Sequence, residues 1–251
     1  MRKRYIPDTF LNLFKEKISP FTWFDSDFNK LKDQEKASSR FIKFDTEDFQ
    51  YCLDDRTEIT QIDRHYLYHP AWAAQIIALI KPEKHIDISS IIHFGAILSA
   101  FVPIEFYDYR PVDIDLNNYF SAKADLTKLL FEDNSIHSLS CMHTVEHVGL
   151  GRYGDPIDYD GDLKAMQELA RVLAVGGNLL FVVPIGKQNK ICFNAHRIYT
   201  ADFIRQRFEG YGLVVKEFTC ISQNIGGLLK TDIKYFKTLE EYGCGCFWIT
   251  K

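Results

Sequence analysis

His85-Ile86-Asp87-Ile88-Ser89-Ser90-Ile91 is a short apolar run that ends in two small residues. Its length and its partly β-branched composition predict a buried strand. Residues 94–101 follow with apolar side chains at helical spacing, and residues 104–107 form the next short apolar run. A strand, a helix and a second strand in this order are typical of a parallel sheet that is covered by helices.

The same alternation of strands and helices continues towards the C-terminus. Before the first strand, apolar side chains at helical spacing predict a helix that ends at Lys81-Pro82. The further predicted elements are strands at residues 138–142, 178–183 and 213–219, helices at residues 161–173 and 200–208, and a last antiparallel strand at residues 246–250. We therefore expect residues 69–251 to form one Rossmann-like α/β domain, with a mostly parallel sheet and helices on both faces.

Residues 1–68 lack a clean period and contain an aromatic cluster followed by a charged segment. They predict an irregular or helical N-terminal extension that packs on the core of the main domain. The alternative is a lid over a substrate pocket, since loop-rich additions to a scaffold often carry function.

The composition is that of a globular protein, with 46% hydrophobic and 25% charged residues among 251. The formal net charge of -4 provides no positive field for nucleic acid, so a nucleic-acid partner is disfavoured. No apolar run of signal-peptide length follows the basic start, and nowhere do about 18 apolar residues follow one another. We expect a cytoplasmic protein without a membrane segment, whose oligomeric state the sequence does not indicate.

The six cysteines predict no metal site. Four of them are scattered singly among apolar neighbours, as reduced core cysteines are. Cys244-Gly245-Cys246 contains the only close pair, and a zinc site there would need a second pair or histidines nearby in the sequence.

Sheets of this kind bind ligands beyond the carboxyl ends of their strands, so polar residues at those ends are candidate site residues. Asp87 lies inside the first strand, and Ser89 and Ser90 follow where glycine would permit close approach of a cofactor. A capping role for Asp87 is an equal alternative.

Asp108 ends the second strand about twenty residues later, where a carboxylate can accept both hydroxyls of a ribose. Its alternative is a turn residue before Pro111.

Asp125 ends the strand that should precede a turn-rich connection, and its carboxylate can receive a purine amino group. The strand end with the most titratable groups is Met142-His143-Thr144-Val145-Glu146-His147, followed by a glycine-rich loop up to residue 158. His143 is closest to the strand end and is the predicted proton acceptor, because a pKa near neutrality suits proton removal. Glu146, Asp155 and Asp158 are the alternates, whereas His147 has the position of a structural histidine at a helix end.

Arg152, Tyr153 and Arg197 are the candidate acceptor-binding residues. A guanidinium binds phosphate or carboxylate groups bidentately. Asp158 lies in the same loop as Arg152 and Tyr153, and we expect it to stabilise the fold as an ordinary turn or helix-start residue.

Three segments together resemble class I S-adenosylmethionine (SAM)-dependent methyltransferases: Asp125-Leu126 with the connection to Ile136, the segment from Met142 to His147, and the stretch from Glu168 to Phe181 with Gly176-Gly177. This resemblance covers roughly residues 70–251. More narrowly, His147-Val148-Gly149-Leu150-Gly151-Arg152-Tyr153-Gly154-Asp155-Pro156-Ile157-Asp158 resembles the little-characterised branch called domain of unknown function 268.

The resemblance implies a seven-stranded sheet and SAM as the cofactor. It places the loop of Ser89 and Ser90 with Asp87 near the methionine end of SAM. Asp108 would lie near the ribose, Asp125 and Leu126 near the adenine, and Met142 with His143 beside the sulfonium.

We predict an enzyme that transfers a methyl group from SAM to a small molecule or a sugar, with oxygen as the expected acceptor atom and polysaccharide biosynthesis as the expected context. Because Ser89-Ser90-Ile91 replaces the usual Gly-x-Gly, the alternative is a binding or regulatory protein that keeps the fold without catalysis. A nicotinamide-dependent oxidoreductase is disfavoured, since the three-glycine fingerprint is absent.

Overall fold

The computed structural model describes residues 22–40, 42–222, 227–233 and 242–251. The chain divides into two compact units, Met1–Thr60 and Gln61–Lys251. In the first unit, helix α1 (Thr22–Ala37) is followed by a 3₁₀ turn (Thr46–Asp48). The rings of Phe24 and Phe28 from α1 each pack edge to face against Phe49. The predicted packing of this segment on the main domain and its alternative, a lid over a substrate pocket, both stay predictions.

The second unit contains ten strands within the described residues. In chain order they are β1 (His85–Ile88), β2 (Ile104–Asp108), β3 (Tyr119–Lys123), β4 (Ile136–Met142), β5 (Leu173–Gly186), β6 (Lys190–Cys192), β7 (His196–Ile198), β8 (Val214–Ser222), β9 (Leu228–Lys230) and β10 (Tyr242–Thr250). Eight of them form one sheet in the order β3-β2-β1-β4-β5-β10-β8-β9, and β6 and β7 form a separate hairpin.

Strands β1 to β5 pair in parallel, and β10 lies antiparallel between β5 and β8. The Rossmann-like, mostly parallel sheet predicted from the sequence is thereby confirmed. The expected count of seven strands was one too low, because the short strand β9 pairs with the outer edge of β8. Three residues are too few for an alternation of side chains to indicate a strand.

Four helices cover the two faces of the sheet in the described part of this unit: α2 (Arg64–Ile80), α3 (Ile92–Leu98), α4 (Gly161–Val172) and α5 (Ala201–Gly210). Trp72 of α2 and Phe94 of α3 share one buried cluster with Trp248 of β10. Leu169 of α4 and Phe208 of α5 belong to the cluster on the other face. Both faces are therefore covered by helices, as the alternating pattern predicts.

Helix α2 begins inside the segment that was predicted as extension. The Asp63 side chain accepts a hydrogen bond from the Tyr66 backbone N–H and caps its N-terminus. Lys81 ends the helix in a left-handed conformation directly before Pro82. Its first turn carries His65, so helix α2 contributes polar side chains as well as core contacts. Among the described residues, no helix is both long and apolar enough to cross a membrane.

Candidate active site

A cavity of about 260 Å³ lies at the carboxyl ends of the parallel strands. The predicted site residues that line it are Ser89, Asp108, Asp125, Leu126, His143, Tyr153 and Asp155. The predicted residues that do not line it are Asp87, Ser90, Met142, Glu146, Arg152 and Arg197. The parallel pairing of β1 with both β2 and β4 brings segments far apart in the sequence to this one edge.

The loop after β1 is shaped by serine in a conformation that favours glycine. Ser89 has φ of 57°, in the left-handed region. Its backbone N–H donates to the Tyr107 carbonyl at 2.8 Å, and its own carbonyl accepts from Thr144 Oγ1 at 2.9 Å. The Ser90 hydroxyl is buried and accepts from the Met142 backbone N–H at 3.1 Å. The loop is thus tied to both neighbouring strands, and only Ser89 reaches the cavity.

Asp108 and Asp125 each present a carboxylate to the cavity. Asp108 Oδ1 accepts from the Arg110 backbone N–H at 2.7 Å, and Asp125 Oδ1 accepts from the backbone and the hydroxyl of Thr127. In both residues the oxygen that accepts these hydrogen bonds is Oδ1. Within the described residues, the Oδ2 atom of each carboxylate is therefore available to accept a hydrogen bond from a ligand. The bonds also hold each carboxylate in a fixed orientation.

Asp87 lies one layer below the cavity and is fully buried. Its Oδ1 accepts from the Ser140 hydroxyl at 2.8 Å, and Ser140 Oγ lies 2.9 Å from His85 Nε2. Burial raises the pKa of Asp87 to about 7, although the hydroxyl groups of Ser90 and Ser140 lower it in part. Asp87 therefore supports the β1 loop from beneath and does not line the cavity itself.

His143 has partners at both ring nitrogens. Its Nδ1 lies 2.9 Å from Glu146 Oε1, and its Nε2 lies 3.3 Å from Cys244 Sγ. Burial lowers the pKa of His143, but its contacts with Cys244 and Glu146 raise it by more. A general base needs an unprotonated nitrogen that a substrate can reach. Both ring nitrogens of His143 face partners inside the protein, so a substrate reaches neither, and Glu146, which is 1% exposed, is equally out of reach.

His147 lines the cavity and has the state that a base requires. Its Nδ1 lies 2.6 Å from the Ala195 carbonyl oxygen, which can only accept, so Nδ1 carries the proton and Nε2, which lies 3.9 Å from Glu146 Oε1, keeps a lone pair. Burial, the largest influence, lowers the pKa of His147 and keeps the ring neutral near pH 7. Sequence reasoning placed His147 among structural histidines. Its partner lies 48 residues further along the chain, where no local pattern points to it.

Asp155 holds the glycine-rich loop together. Its Oδ2 accepts from the backbone N–H groups of Gly149 at 2.8 Å and Gly151 at 3.3 Å, and its Oδ1 accepts from that of Tyr153 at 3.2 Å. These three bonds fix the loop that forms one wall of the cavity. Asp155 therefore lines the cavity, but both oxygens of its carboxylate already accept hydrogen bonds from backbone N–H groups.

Tyr153 lies between two cations at the rim of the cavity. The guanidinium carbon of Arg110 lies 4.5 Å from its ring centroid and that of Arg152 lies 5.2 Å away. Arg152 also donates to the Ala195 carbonyl at 2.9 Å. Two guanidinium groups over one aromatic ring place local positive charge here, and the lining of the cavity also carries the carboxylates of Asp108, Asp125, Asp155 and Asp158.

The structure does not bring Arg197 to the cavity. This side chain is buried and donates to the carbonyls of Val148 at 2.6 Å and Tyr159 at 3.1 Å. Its Nε lies 3.5 Å from the Asp162 carboxylate. Arg197 thus anchors both ends of the glycine-rich loop from behind. The sequence pattern gave no sign of these backbone acceptors.

A second group of side chains meets around His143. One ligand atom from each of His65, His143 and Cys244 lies within 4.8 Å of the other two. The sequence predicted no metal site because no histidine stands near Cys244 in the chain. The structure brings two histidines there from α2 and from the end of β4.

The fold is that of class I SAM-dependent methyltransferases. A protein from Galdieria sulphuraria, provisionally named a sarcosine dimethylglycine methyltransferase, superposes with a TM-score of 0.51 at 14% sequence identity, over 72% of this chain and 83% of that chain. A provisionally named methyltransferase from Bacillus halodurans gives a TM-score of 0.49 at 17% identity, over 72% of this chain and 96% of that one. Phosphoethanolamine N-methyltransferase 2 from Haemonchus contortus, in complex with SAM, gives a TM-score of 0.45 at 13% identity, over 72% of this chain and 52% of that chain. The likeness to the Galdieria sulphuraria protein, at 14% identity, establishes the fold alone.

The family described as Caenorhabditis protein of unknown function, DUF268, matches residues 127–237. The match contains the whole segment 147–158 on which the narrower resemblance rests. The resemblance to this family that the sequence indicated is thereby confirmed over these residues. A comparison with curated proteins found no match.

Proposed function

We propose that this protein is a SAM-dependent methyltransferase that acts on a small molecule or a sugar, with oxygen as the acceptor atom. The observation that carries the proposal is the cavity that places Asp108 and Asp125 side by side at the ends of β2 and β3. Both carboxylates are preoriented, and each has an oxygen left to accept from a ligand. A nucleoside offers the matching donors, namely two ribose hydroxyls and a purine amino group.

The residues present fit SAM despite the missing glycines. Ser89 already has the left-handed backbone for which glycine is normally needed, so the loop has the required path. Asp108 would hold the ribose, Asp125 and Leu126 the adenine, and the loop of Ser89 the methionine end. SAM would supply a methyl group that is already activated for transfer. The protein has to orient the acceptor and remove its proton.

We assign proton removal to His147 and do not carry forward the assignment to His143. His147 Nε2 is the basic atom, because Nδ1 is bonded to the Ala195 carbonyl. The rim of Arg110, Tyr153 and Arg152 supports binding of an acceptor with an anionic group, such as a phosphorylated or acidic sugar. Polysaccharide biosynthesis and a cytoplasmic location remain predictions.

Turnover is tested by the release of S-adenosylhomocysteine from SAM with mixtures of phosphorylated and acidic sugars. We expect product with at least one mixture. His147→Gln should lower kcat by about 10²–10⁴-fold and change the affinity for SAM by no more than a few-fold, because only the base is removed. His137→Gln, a change of the same kind at an exposed histidine of β4, serves as the control.

One outcome would count against this function, and another would count only against the assignment of the base. Tight binding of SAM with no turnover on any acceptor would favour the alternative of a binding protein without catalysis. Unchanged kcat in His147→Gln would remove His147 from the reaction.

A further inference from the structure

Beside the cavity, three side chains that are suited to metal binding converge from separate elements. His65 lies in the first turn of α2, His143 follows β4 directly, and Cys244 lies in β10. One ligand atom from each lies within 4.8 Å of the other two. We propose that His65, His143 and Cys244 bind a zinc ion. This site does not depend on methyl transfer as the function of the protein.

The spacing of the three atoms is close to that of a formed metal site. Around a tetrahedral zinc ion with ligands at about 2.0–2.3 Å, donor atoms lie roughly 3.3–3.8 Å from one another. Cys244 Sγ and His143 Nε2 already lie 3.3 Å apart. His65 has to move by about 1.5 Å at most to reach that separation. It lies at the N-terminal end of its helix, where the backbone adjusts most easily.

Glu146 supplies the partner that metal-bound histidines usually have. A ligating histidine donates its other ring N–H to a carboxylate or a carbonyl, which fixes the ring and its tautomer. Glu146 Oε1 lies 2.9 Å from His143 Nδ1 and is held in a buried position. With the proton on Nδ1, the lone pair of His143 lies on Nε2, the atom next to Cys244.

His65 provides an independent sign of a ligand. Its Nε2 is buried and has no hydrogen-bond partner among the described residues. Buried polar atoms without a partner are uncommon in folded proteins and call for an explanation, of which an ion is one. A metal ion bound between His65, His143 and Cys244 would satisfy this nitrogen.

The donor set selects zinc among the common metals. One thiolate and two imidazoles suit zinc, whereas calcium and magnesium prefer oxygen ligands. Three protein ligands leave a fourth position open, which is the pattern of zinc sites that bind water or a substrate. Because His143 also lines the cavity, the ion would lie next to the site of the proposed reaction.

The same side chains also match a catalytic triad. In that arrangement Cys244 would be the nucleophile, His143 the base, and Glu146 the carboxylate that orients the base. Two observations favour the metal. Cys244 is 0% exposed, whereas a nucleophile has to be reached by its substrate. A triad of this kind also gives no role to His65, the third member of the cluster.

The test uses the full chain after removal of metal by a chelator and measures zinc binding by calorimetry and metal content by mass spectrometry. We expect one zinc ion per chain. His65→Ala and Cys244→Ala should each weaken zinc binding by roughly 100-fold or more, and Glu146→Gln by about 10- to 100-fold. Cys141→Ala removes another fully buried cysteine and should leave zinc binding unchanged. His65→Ala keeps the test decisive if Cys244→Ala fails to fold, since His65 lies outside the packed core.

One spectroscopic and one chemical measurement identify the ligands. Cobalt(II) in place of zinc should give a thiolate-to-metal absorption band in the parent and none in Cys244→Ala. Because Cys244 is buried, its thiol should react slowly with iodoacetamide in the folded protein without zinc and more slowly still with zinc, as read by mass spectrometry of its peptide. Absence of zinc binding, or equal affinity in the parent and His65→Ala, would overturn the proposal. Rapid alkylation of Cys244 that zinc does not slow would overturn it in favour of a thiol nucleophile.

Discussion

Ser89 and His143 are two L-residues with left-handed backbone, at φ of 57° and 55°. This conformation costs a residue with a side chain about 1–2 kcal/mol compared with its usual backbone. Both residues line the cavity. Strained backbone collects at functional sites because the surrounding structure holds it there. For Ser89, this strain is the cost of a side chain at a position where glycine would be unstrained.

Ser89→Gly should stabilise the protein by up to about 1 kcal/mol and keep or improve SAM affinity. Glycine adopts positive φ without the steric penalty, and the lost hydroxyl contact with the Tyr107 carbonyl is long, at 3.2 Å. Urea unfolding and SAM titration measure the two effects. A large loss of affinity would mean that the serine hydroxyl itself binds the cofactor.

Asp87→Asn should change how stability depends on pH. The pKa of Asp87 is raised to about 7 in the folded protein from an ordinary value of 3.8. The folded state therefore binds a proton that the unfolded state has released, and stability falls as pH rises from about 4 to 7. Between pH 5 and pH 8 the parent should lose about 2–3 kcal/mol more than the variant.

Urea midpoints at the two pH values provide the measurement. Asp115→Asn, a change of the same kind at an exposed residue, should behave as the parent does. An identical pH dependence in Asp87→Asn and the parent would show that Asp87 is ionised in the folded protein at pH 5.

At the scale of single residues, sequence reasoning picked out two aspartates that line the cavity, but it did not find the partners of the two histidines. Asp108 and Asp125 could be predicted because a strand end and its turn are local features of the chain. The partners of His143 and His147 could not, since Cys244 lies 101 residues and Ala195 lies 48 residues away from them. Arg197 was misplaced for the same reason, because its acceptors are backbone carbonyls that no side-chain pattern reveals.

Among the elements, the loop from the end of β4 to α4 contributes most to the cavity. Gly149 has φ of 81°, and a Cβ at this position would lie 2.1 Å from the Asp158 carbonyl oxygen. Gly154 has φ of 83°, but a Cβ there would meet nothing within 4 Å. The two glycines share the backbone conformation and differ in the space around them. They form a matched pair for testing how tightly the loop is packed.

Gly149→Ala should destabilise the protein by about 1–3 kcal/mol more than Gly154→Ala does. Both substitutions carry the penalty of positive φ, and Gly149→Ala adds a clash with the backbone of Asp158. Thermal or urea unfolding of the two variants measures the difference. Equal losses would mean that the loop moves away without cost and is not held by Asp155 and Arg197.

The central strands and helices were predictable because burial repeats along each of them. β5 is buried on both faces from Leu179 onward and reads there as an apolar run, whereas β4 is mostly buried but carries Ser138 and Ser140 among its apolar residues. β5 extends well beyond residues 178–183, because its pairing with β10 continues as far as Gly186. The edge strand β9 and the hairpin of β6 and β7 have three residues each and carry too little pattern to be recognised.

For the whole molecule, topology builds the cavity. β4 lies next to β1 in the sheet although more than forty residues separate them in the chain, and β2 and β3 continue on the other side. Four strand ends therefore meet at one edge with their loops: the serine loop, two aspartate turns and the glycine-rich loop. The alternating pattern predicts a mostly parallel sheet but not this strand order, and a cavity at the carboxyl ends of the strands follows from such a sheet.

The central claim is that this cavity binds SAM through Asp108, and calorimetric titration of SAM into the parent, Asp108→Ala and Asp115→Ala tests it most directly. Asp108→Ala should weaken binding by about 1.5–3 kcal/mol, or roughly 10- to 150-fold, because a charge-assisted hydrogen bond to the ribose is lost. Asp115→Ala removes an exposed carboxylate outside the cavity and should bind as the parent does. No binding of SAM to the parent, or equal affinity in the parent and Asp108→Ala, would contradict the account.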